Sequence, residues 1–271
     1  MQTKPVVSVV IGTYNRLDYL KPTIETVRKE LDKAGYEIIV TDGGSDDGTV
    51  NWLVEQKDII SIIQHNRGEW LGKKIDRKSW GYFMNLGFRA ASGKYICMLS
   101  DDCLVVPGAI KNGTALFDKK LKSGARIGGV AFYWRNWPEQ EKYWVGLTWG
   151  GKMFVNHGLY LREALQAIGF ADEDNYFFYH ADGDISLRMS EAGYETVESP
   201  KSFIEHYSDA NTQLRASNME QQKKDWAVYS KSWSRLGSPD KDWIETVHSD
   251  KDHTADKYWR QPEGLIERYK K

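Results

Sequence analysis

The sequence has 271 residues, enough to bury a full core as one large domain or as a domain with an attached subdomain. Its 37 basic and 38 acidic residues give a net charge of −1, so no overall field would attract nucleic acid or an anionic membrane. Two cysteines exclude a disulfide scaffold, the N-terminal segment lacks the layout of a signal peptide, and no apolar run approaches the roughly 20 residues of a membrane span. We therefore expect a cytoplasmic protein.

The first third of the chain alternates predicted strands and helices. An apolar run at 6–11 predicts a buried strand, and apolar residues at spacings of three and four predict a helix over 17–31. Further strands are predicted at 37–41, 59–64 and 94–99, with a helix at 79–91. This order is typical of an α/β fold with a parallel, doubly wound sheet.

Polar loops follow three of these strands. The carboxyl ends of parallel strands meet at one edge of a sheet, where open α/β folds bind ligands. We therefore expect the loops 13–16, 42–45 and 100–102 to form one site. In the first loop Tyr14 would stack on a nucleobase. Arg16 would reach a phosphate, unless it is a solvated residue of the first helical turn.

The strand at 94–99 is followed by Ser100 and the adjacent carboxylates Asp101 and Asp102. Two neighbouring negative charges need solvent or a cation. Carboxylate oxygens suit Mg²⁺ or Mn²⁺, usually shared with substrate phosphates. An ordinary Ser-Asp-Asp turn is the alternative interpretation.

Asp42 follows the second predicted strand and precedes two glycines. It would hold a ring N–H of a base, or it belongs to a tight turn in which Asp46 and Asp47 cap the next helix. The glycine spacing matches neither the Rossmann G-x-G-x-x-G nor the phosphate-binding P-loop. Gly44 occupies a position where the EF-hand pattern needs a ligand. These patterns argue against a dehydrogenase, a P-loop ATPase and an EF-hand calcium protein.

Four segments, in this order along the chain, resemble a known family. They are VSVVIGTYNR at 7–16, IVTDGGSDDGT at 39–49, Asn85-Leu86-Gly87, and GKYI at 93–96 running into LSDD at 99–102. The chain resembles the family 2 glycosyltransferases, which are inverting enzymes that use nucleotide sugars. The resemblance implies the GT-A (Rossmann-like) fold, an α/β fold with a mixed, mostly parallel central sheet flanked by helices, here with a helical C-terminal extension.

The resemblance also implies a nucleotide-diphosphate sugar donor and a divalent cation, Mn²⁺ or Mg²⁺, held mainly by Asp102. Thr13, Tyr14 and Asp42 would hold the base, and Asp101 would lie near the donor ribose or sugar. UDP is the favoured nucleotide, while dTDP and GDP fit similar loops. The expected donor-binding residues are Thr13, Tyr14, Asn15, Arg16, Asp42, Asn85, Ser100, Asp101, Trp149 and Gly150. The chain departs from the commonest form of the family at Ser100, in the first acidic position of the metal-binding element, and at Gly43.

The second half contains the expected catalytic base. The segment FFYHADGDISLR at 177–188 resembles the family's base-bearing segment, with Ala181 in place of the usual glutamate. Asp182 would take the proton of the attacking hydroxyl. Asp184 would begin a helix over 185–192. The alternative role for Asp182 is a helix cap.

Short strands predicted at 195–197 and 202–204 lead to His206. A histidine after a strand is usually structural, but in this family a histidine at this place often completes the metal site. The expected metal ligands are therefore Asp102 and His206.

We predict a catalytic domain over 1–209, with a nucleotide-sugar half at 1–103 and an acceptor half at 104–209. The helical extension at 210–271 would cover the acceptor, mediate a homodimer or rest on the inner face of a membrane. The acceptor would be a carbohydrate or glycolipid, as in polysaccharide biosynthesis, and nucleic acid is not expected. Two other classes stay open. One is a nucleotidyltransferase or pyrophosphorylase, although its usual glycine-rich phosphate loop is missing, and the other is a non-catalytic carbohydrate-binding protein.

Overall fold

The computed structural model describes residues 6–30, 35–137, 139–207 and 212–246, and the structural statements below refer to these residues. Its strands are β1 (Val7–Thr13), β2 (Tyr36–Asp42), β3 (Ile59–Ile63), β4 (Glu69–Trp70), β5 (Lys73–Lys74), β6 (Tyr95–Ser100), β7 (Cys103–Val105), β8 (Ile127–Asn136), β9 (Tyr143–Thr148), β10 (Lys152–Met153), β11 (Gly158–Leu161), β12 (Glu195–His206) and β13 (Trp243–Thr246). Its helices are α1 (Leu17–Glu30), α2 (Thr49–Glu55), α3 (Trp80–Ala90), α4 (Ala109–Lys122), α5 (Arg162–Ala167), α6 (Ala181–Glu191) and α7 (Thr212–Trp233). Short 3₁₀ turns, Trp149–Gly151 and Ser234–Leu236, follow β9 and α7.

One mixed sheet forms the centre of the described chain. Its main path runs β10-β9-β8-β11-β6-β1-β2-β3, while β12 joins β8 and β7, and β13 joins β9. The strands β3, β2, β1 and β6 are parallel, as the alternating pattern predicted. In contrast, β11 runs antiparallel to β6 and β8. The predicted mixed α/β sheet with flanking helices is therefore observed, and antiparallel pairing contributes most of its second half.

The parallel half of the sheet is covered by helices. Val9, Val10 and Ile11 are fully buried, which is expected for a strand that is covered on both faces. Gly87 lets α3 lie directly on β1, because a Cβ atom at that position would come within 2.4 Å of the Val10 side chain. This glycine therefore sets how closely α3 lies on the sheet.

Two elements of the second half differ from the sequence-based expectation. The segments 195–197 and 202–204 belong to a single strand, β12, whose register against β8 shifts between Ser199 and Phe203. Helix α6 begins at Ala181 rather than at 185, so Asp182 lies inside its first turn. The chain turns sharply into this helix at His180, whose φ angle is +66°.

The described part of the predicted extension is joined to the rest of the molecule. Tyr229 and Trp233 of α7 share a small apolar cluster with Ala181 and Leu187 of α6, and β13 extends the main sheet at β9. The domain boundary at 209 stays a prediction, and residues 247–271 lie outside the described residues. Within the described ranges, no helix is both long enough and apolar enough to cross a membrane.

Candidate active site

The polar loops after β1, β2 and β6 converge on one edge of the sheet. Parallel pairing sets Thr13 opposite Asp42 and Gly12 opposite Ser100. The Gly43 N–H donates a hydrogen bond to the Thr13 carbonyl at 3.1 Å, which ties the first two loops together. The three loops that the sequence predicted to meet are therefore neighbours in space.

Asp101 and Asp102 lie buried side by side and share one guanidinium group. The Nη1 atom of Arg16 is 3.0 Å from Asp101 Oδ1 and 2.7 Å from Asp102 Oδ2. The Thr13 hydroxyl donates to Asp101 Oδ2 at 2.8 Å. Burial raises the pKa of Asp101 to about 6, with Arg16 opposing the shift and Asp102 adding to it. The pair is thus buried rather than solvated, and its charge is only partly compensated because one guanidinium faces two carboxylates.

His206 faces the same carboxylates from the end of β12. Antiparallel pairing of β12 with β7 sets His206 opposite Cys103, and His206 Nε2 is 3.4 Å from Asp102 Oδ1. On the other side of the ring, Nδ1 is 2.9 Å from Asn136 Oδ1. That oxygen can only accept a hydrogen bond, so Nδ1 carries a proton, and Nε2 faces Asp102. A hydrogen bond of this kind is how proteins orient histidine as a metal ligand.

The donor atoms of this cluster fit a divalent cation. Asp102, Cys103 and His206 each offer one ligand atom, and these atoms lie within 4.8 Å of one another. Burial, followed by the charge of Asp102, raises the pKa of the Cys103 thiol well above its usual value, and a soft sulfur ligand does not suit Mg²⁺ or Mn²⁺. Asp102 and His206 therefore remain the expected ligands, an oxygen and nitrogen pair compatible with Mn²⁺ or Mg²⁺ when substrate phosphates complete the coordination.

His157 lies behind this cluster. Its Nε2 atom is 3.6 Å from Cys103 Sγ, and its ring centroid is 5.8 Å from that of His206. Burial, together with His206, lowers the pKa of His157 to about 3, so the ring is neutral. The sequence analysis did not identify His157, because nothing in its local sequence links it to β6 or β12.

Asn15 and Asp42 hold the first two loops in shape. The Asn15 side chain exchanges hydrogen bonds with Asp46, at 2.8 Å to its carboxylate and 2.9 Å from its backbone N–H. Asp42 accepts hydrogen bonds from the backbone of Gly44 and from the backbone and hydroxyl of Ser45. These contacts bear out the tight-turn interpretation of Asp42 as a structural role. A donor-binding role for Asp42 and Asn15 stays a prediction.

Asp46 and Asp47, which were both predicted to cap the next helix, make different contacts. Asp47 accepts hydrogen bonds from Leu17 N–H, at the start of α1, and from Thr49, at the start of α2. Asp46 pairs with Asn15 instead. Asp47 therefore links the beginnings of two helices to the loop after β2.

Tyr14 lies in the same loop region with a cation over its ring. The Arg67 guanidinium is 4.0 Å from the centroid of the Tyr14 ring, and Arg77 is 5.0 Å from the centroid of the Phe177 ring. Both arginines come from the segment between β3 and α3, which the sequence analysis left unassigned. They bring positive charge to the neighbourhood of the predicted nucleotide loop.

Asn85 is placed differently from the other predicted donor residues. Its side chain is fully buried, donates to the Ala171 carbonyl and to Glu173, and accepts from the Ala171 N–H. The structure thus uses Asn85 to hold the loop around 171–173 against α3. Its predicted part in donor binding stays a prediction.

Asp182 lies in the first turn of α6 and is partly buried. Burial raises its pKa, although the Gly183 N–H donates to Oδ1 at 2.8 Å and His180 favours the charged form. None of the ion pairs formed among the described residues includes Asp182. A carboxylate with a raised pKa and no fixed cation is suited to accept a proton.

Helix α7 supports the segment that leads to Asp182. The carboxylate of Asp225 is buried and accepts hydrogen bonds from three successive backbone N–H groups, those of Phe177, Phe178 and Tyr179, at 3.1, 2.9 and 2.8 Å. Gln221, one turn earlier in α7, also donates to Asp225 at 2.7 Å. The loop before α6 is therefore fixed by one charged side chain that lies far away in sequence.

The next two turns of α7 continue this contact. Tyr229 stacks on His180 at 5.1 Å, and a Cβ atom at Gly183 would come within 2.4 Å of the Tyr229 hydroxyl. Trp233 Nε1 donates to Asp184 Oδ1 at 3.0 Å. The spacing of 225, 229 and 233 places all three side chains on one face of the helix. That spacing was the only sequence signal that could have identified them.

Trp149 and Gly150, two of the expected donor-binding residues, lie in a short 3₁₀ turn in the same neighbourhood. The Trp149 ring stacks on Trp226 of α7 at 6.0 Å, and the Thr148 hydroxyl is 2.5 Å from the Tyr229 hydroxyl. The Gly150 N–H donates to the Gly237 carbonyl at 2.7 Å. The contacts with Trp226 and Tyr229 of α7 therefore place the turn near the Asp182 segment, and these contacts do not involve the loops after β1 and β2.

The sequence profile described as Glycosyl transferase family 2 matches residues 8–170, more than half of the chain. The chain belongs to this family.

Solved GT-A glycosyltransferases share its fold. A mannosyltransferase of Pyrobaculum calidifontis, PcManGT in complex with GDP-Man and Mn²⁺, has a TM-score of 0.61 and 16% identity, covering 85% of this chain and 64% of that chain. TarS of S. aureus has a TM-score of 0.57 and 16% identity, covering 85% and 73%. The predicted GT-A fold class of this family 2 chain is confirmed.

Curated relatives match over shorter parts of their own length. Chondroitin synthase of Escherichia coli is 31% identical over 107 residues, which are 38% of this chain and 14% of that protein. Protein y4gI of Sinorhizobium fredii is 22% identical over 244 residues, 78% of this chain and 25% of that protein. A glycosyltransferase of Rickettsia prowazekii, RP339, is 28% identical over 115 residues, covering 42% and 33%. This family 2 chain therefore spans a third or less of the length of these relatives.

Proposed function

We propose that this chain is a metal-dependent, inverting glycosyltransferase. It would move a sugar from a nucleoside diphosphate donor to a hydroxyl group of a carbohydrate or glycolipid. The observation that carries this proposal is the contrast between two carboxylate sites. Asp101 and Asp102 are buried beside His206, which suits a cation and a diphosphate. Asp182 has a raised pKa and no ion pair among the described residues, which suits a proton.

The proposed reaction needs one base and a stabilised leaving group. Asp182 accepts the proton of the acceptor hydroxyl as that oxygen bonds to the anomeric carbon, and the bond from this carbon to the diphosphate oxygen breaks. Attack from the face opposite the diphosphate inverts the configuration and needs no covalent enzyme intermediate. A divalent cation held by Asp102 and His206 would stabilise the negative charge that develops on the diphosphate.

The donor would bind across the loops after β1, β2 and β6. Tyr14, with Arg67 over its ring, would stack on the base. Thr13, Asn15 and Asp42 would shape this pocket. Arg16, Ser100 and Asp101 would face the ribose and phosphates, with Asn85, Trp149 and Gly150 as further predicted contacts. UDP remains the favoured nucleotide of the sequence analysis. GDP belongs in any test, because the P. calidifontis mannosyltransferase is described in complex with GDP-Man and Mn²⁺.

The test measures the hydrolysis of a panel of UDP-, dTDP- and GDP-sugars with Mn²⁺, with Mg²⁺ and with EDTA. Wild type is compared with Asp102→Ala, and Asp240→Ala serves as the control for an exposed aspartate. We expect metal-dependent hydrolysis of one donor, lost in Asp102→Ala and retained in the control. Asp182→Asn should bind the same donor with unchanged affinity but fail to transfer the sugar to an acceptor.

Other outcomes point to the other classes. Failure to bind any nucleotide sugar, with or without metal, would overturn the proposal in favour of a carbohydrate-binding protein. Release of pyrophosphate from a nucleoside triphosphate and a sugar phosphate would indicate a nucleotidyltransferase. The expected cytoplasmic location stays a prediction, as does a homodimer formed through the extension, part of which lies outside the described residues.

A further inference from the structure

The segment between β3 and α3 contains a short, solvent-exposed hairpin. Strands β4 and β5 pair Glu69 with Lys74 and Trp70 with Lys73, and the turn between them is Leu71-Gly72. The two side chains at the tip are the most exposed large apolar groups of the described chain. Trp70 is 72% exposed and Leu71 is 84% exposed. The hairpin therefore presents an apolar tip to its surroundings.

Folding does not explain why leucine occupies the turn. Leu71 and Gly72 both have positive φ angles, +49° and +75°, the pattern of a two-residue turn that favours Asn-Gly or Asp-Gly. A left-handed backbone is uncommon for a bulky residue such as leucine, and exposing its side chain to water brings no compensating gain. A locally unfavourable residue at an exposed position points to a function for that side chain.

Positive charge surrounds this tip. The segment 67–78 contains five basic residues (Arg67, Lys73, Lys74, Arg77 and Lys78) against the two acidic residues Glu69 and Asp76, while the whole chain has a net charge of −1. Lys73 and Lys74 are exposed directly beside the tip. The charge of this protein is therefore nearly balanced overall but locally positive at the hairpin.

The hairpin stands beside the candidate active site. Before β4, Arg67 covers Tyr14, and beyond β5, Arg77 covers Phe177, which precedes the Asp182 helix. Its tip is exposed, whereas the side chains that bind small ligands line concave, enclosed sites. An exposed tip with tryptophan, leucine and flanking lysines matches the chemistry of the membrane interface, where tryptophan lies at the headgroup level and lysines pair with anionic headgroups.

We propose that the hairpin Glu69–Lys74 contacts an anionic lipid bilayer. Trp70 and Leu71 enter the boundary between headgroups and acyl chains, and Lys73, Lys74, Arg77 and Lys78 face the anionic headgroups. Membrane binding through this hairpin does not depend on the proposed catalytic function. One consequence does rest on that function: the active site would face the bilayer and receive a lipid-linked acceptor.

The test is co-sedimentation of the full chain with vesicles. Phosphatidylcholine vesicles are compared with phosphatidylcholine–phosphatidylglycerol vesicles at low and high salt. The tip variant is Trp70→Ser/Leu71→Asn, in which asparagine suits the turn, and its control is Val54→Gln, an exposed apolar residue on α2. The charge variant is Lys73→Gln/Lys74→Gln, and its control is Lys119→Gln/Lys122→Gln on α4.

We expect wild type and both controls to bind the anionic vesicles, less strongly at high salt. The charge variant should lose about 30-fold in partitioning, at about 1 kcal/mol per lysine. The tip variant should lose at least roughly 10-fold, because buried apolar area is removed. All variants should retain donor hydrolysis, which separates this proposal from failure of the proposed enzyme activity.

Two results would overturn the lipid assignment. One is the absence of binding to anionic vesicles by the folded wild-type chain. The other is equal binding by wild type and the tip variant. If a soluble protein partner bound through the tip while vesicles did not, the hairpin would be a protein-docking surface instead.

Discussion

The two carboxylate sites of the molecule are held in place by different means. Asp101 and Asp102 follow a buried parallel strand and are fixed by charge, because Arg16 bonds to both. Asp182 lies on the first turn of a helix, and none of the ion pairs of the described residues fixes it. Its segment is held by hydrogen bonds and aromatic contacts from α7.

The residues that hold the carboxylates of the first site are close to one another in the sheet loops, whereas the second site is supported by a helix far along the chain. We call them the charge-held site and the supported site. Thr13 and Arg16, which hold the two carboxylates of the first site, both precede residue 103, while His206 joins this site from the end of β12. The second site depends on Asp225, Tyr229 and Trp233, which lie more than 40 residues after it in sequence. We therefore expect the first site to respond mainly to charge and metal, and the second to changes in α7. Four predictions test this comparison.

The largest effect is expected for Asp182→Asn. Loss of the base should lower the rate of sugar transfer by about 10²- to 10⁴-fold, measured with the identified donor and acceptor. Donor binding, which involves no proton transfer, should change little. In wild type, the raised pKa of Asp182 should move the rising limb of the pH–rate profile above the usual carboxylate range.

Stability provides a control for this variant. Burial raises the pKa of Asp182 in the folded state above its value in the unfolded chain. Protonated Asp182 therefore contributes to stability, and this contribution is lost as the pH rises through the folded-state pKa. Asp182→Asn should therefore be at least as stable as wild type at neutral pH in thermal unfolding. A clear loss of stability would mean that Asp182 is a structural cap and not a base.

Arg16→Ala tests the charge-held site. Without the guanidinium, the two buried carboxylates repel each other. We therefore expect the variant to lose about 3 kcal/mol of unfolding free energy in EDTA. This is the low end of the range for breaking a buried ion pair, because Arg16 is partly exposed. Mn²⁺ should then raise the melting temperature of the variant more than that of wild type, because a bound cation replaces the missing charge.

Arg28→Ala, which removes an exposed ion pair with Asp58, is the control for Arg16→Ala and should change stability by less than about 1 kcal/mol. Equal Mn²⁺ shifts in wild type and Arg16→Ala would argue against a cation at Asp102.

Asp225→Ala tests the supported site. Removing the acceptor of three N–H groups should displace the segment before α6 and lower kcat for transfer by roughly 10²-fold, with little change in donor KM. Asp225→Asn should fall between wild type and alanine, because the amide keeps one accepting oxygen. Glu220→Gln, an exposed residue of the same helix, is the control and should leave kcat unchanged.

If the role of Asp225 is positioning, the rising limb of the pH profile should shift in its variants, since the surroundings of Asp182 change. Variants with the wild-type kcat and pH profile but lower stability would show that Asp225 is merely structural.

The smallest effect is expected for Tyr229→Phe. It removes only the hydrogen bond between the Tyr229 and Thr148 hydroxyls and keeps the ring that stacks on His180. A loss of about 1 kcal/mol in stability and a roughly fivefold drop in transfer rate should follow. Tyr194→Phe is the control. If Tyr229→Phe lost as much activity as Asp225→Ala, the tyrosine hydroxyl itself would have to take part in the reaction.

Sequence patterns were most informative in the parallel half of the sheet. The strands predicted at 6–11, 37–41, 59–64 and 94–99 agree with β1, β2, β3 and β6 to within two residues at each end. Except for the edge strand β3, which is partly exposed, these strands are largely buried on both faces, so their apolar runs and the polar residues at their ends are visible without knowledge of their partners. The convergence of the loops 13–16, 42–45 and 100–102 followed from the same rule.

The second half was less predictable because its pairing is long-range. The strands β8, β9 and β11 were not identified, and β12 was predicted as two pieces because a register shift interrupts its pattern. The roles of the predicted catalytic, donor and metal residues stay predictions, although their positions are now defined.

By itself, the sequence determined the family, the parallel core and the identity of the carboxylates that end β6, since each depends on residues that are close along the chain. Only the tertiary structure decided which side chains compensate and support them. Asp225 in the sequence Lys224-Asp225-Trp226 has the pattern of a solvated charge, yet it is buried and accepts hydrogen bonds from three backbone groups. The physical reason is that a hydrogen bond is set by distance in space, and the separation of its partners along the chain leaves no local pattern to detect.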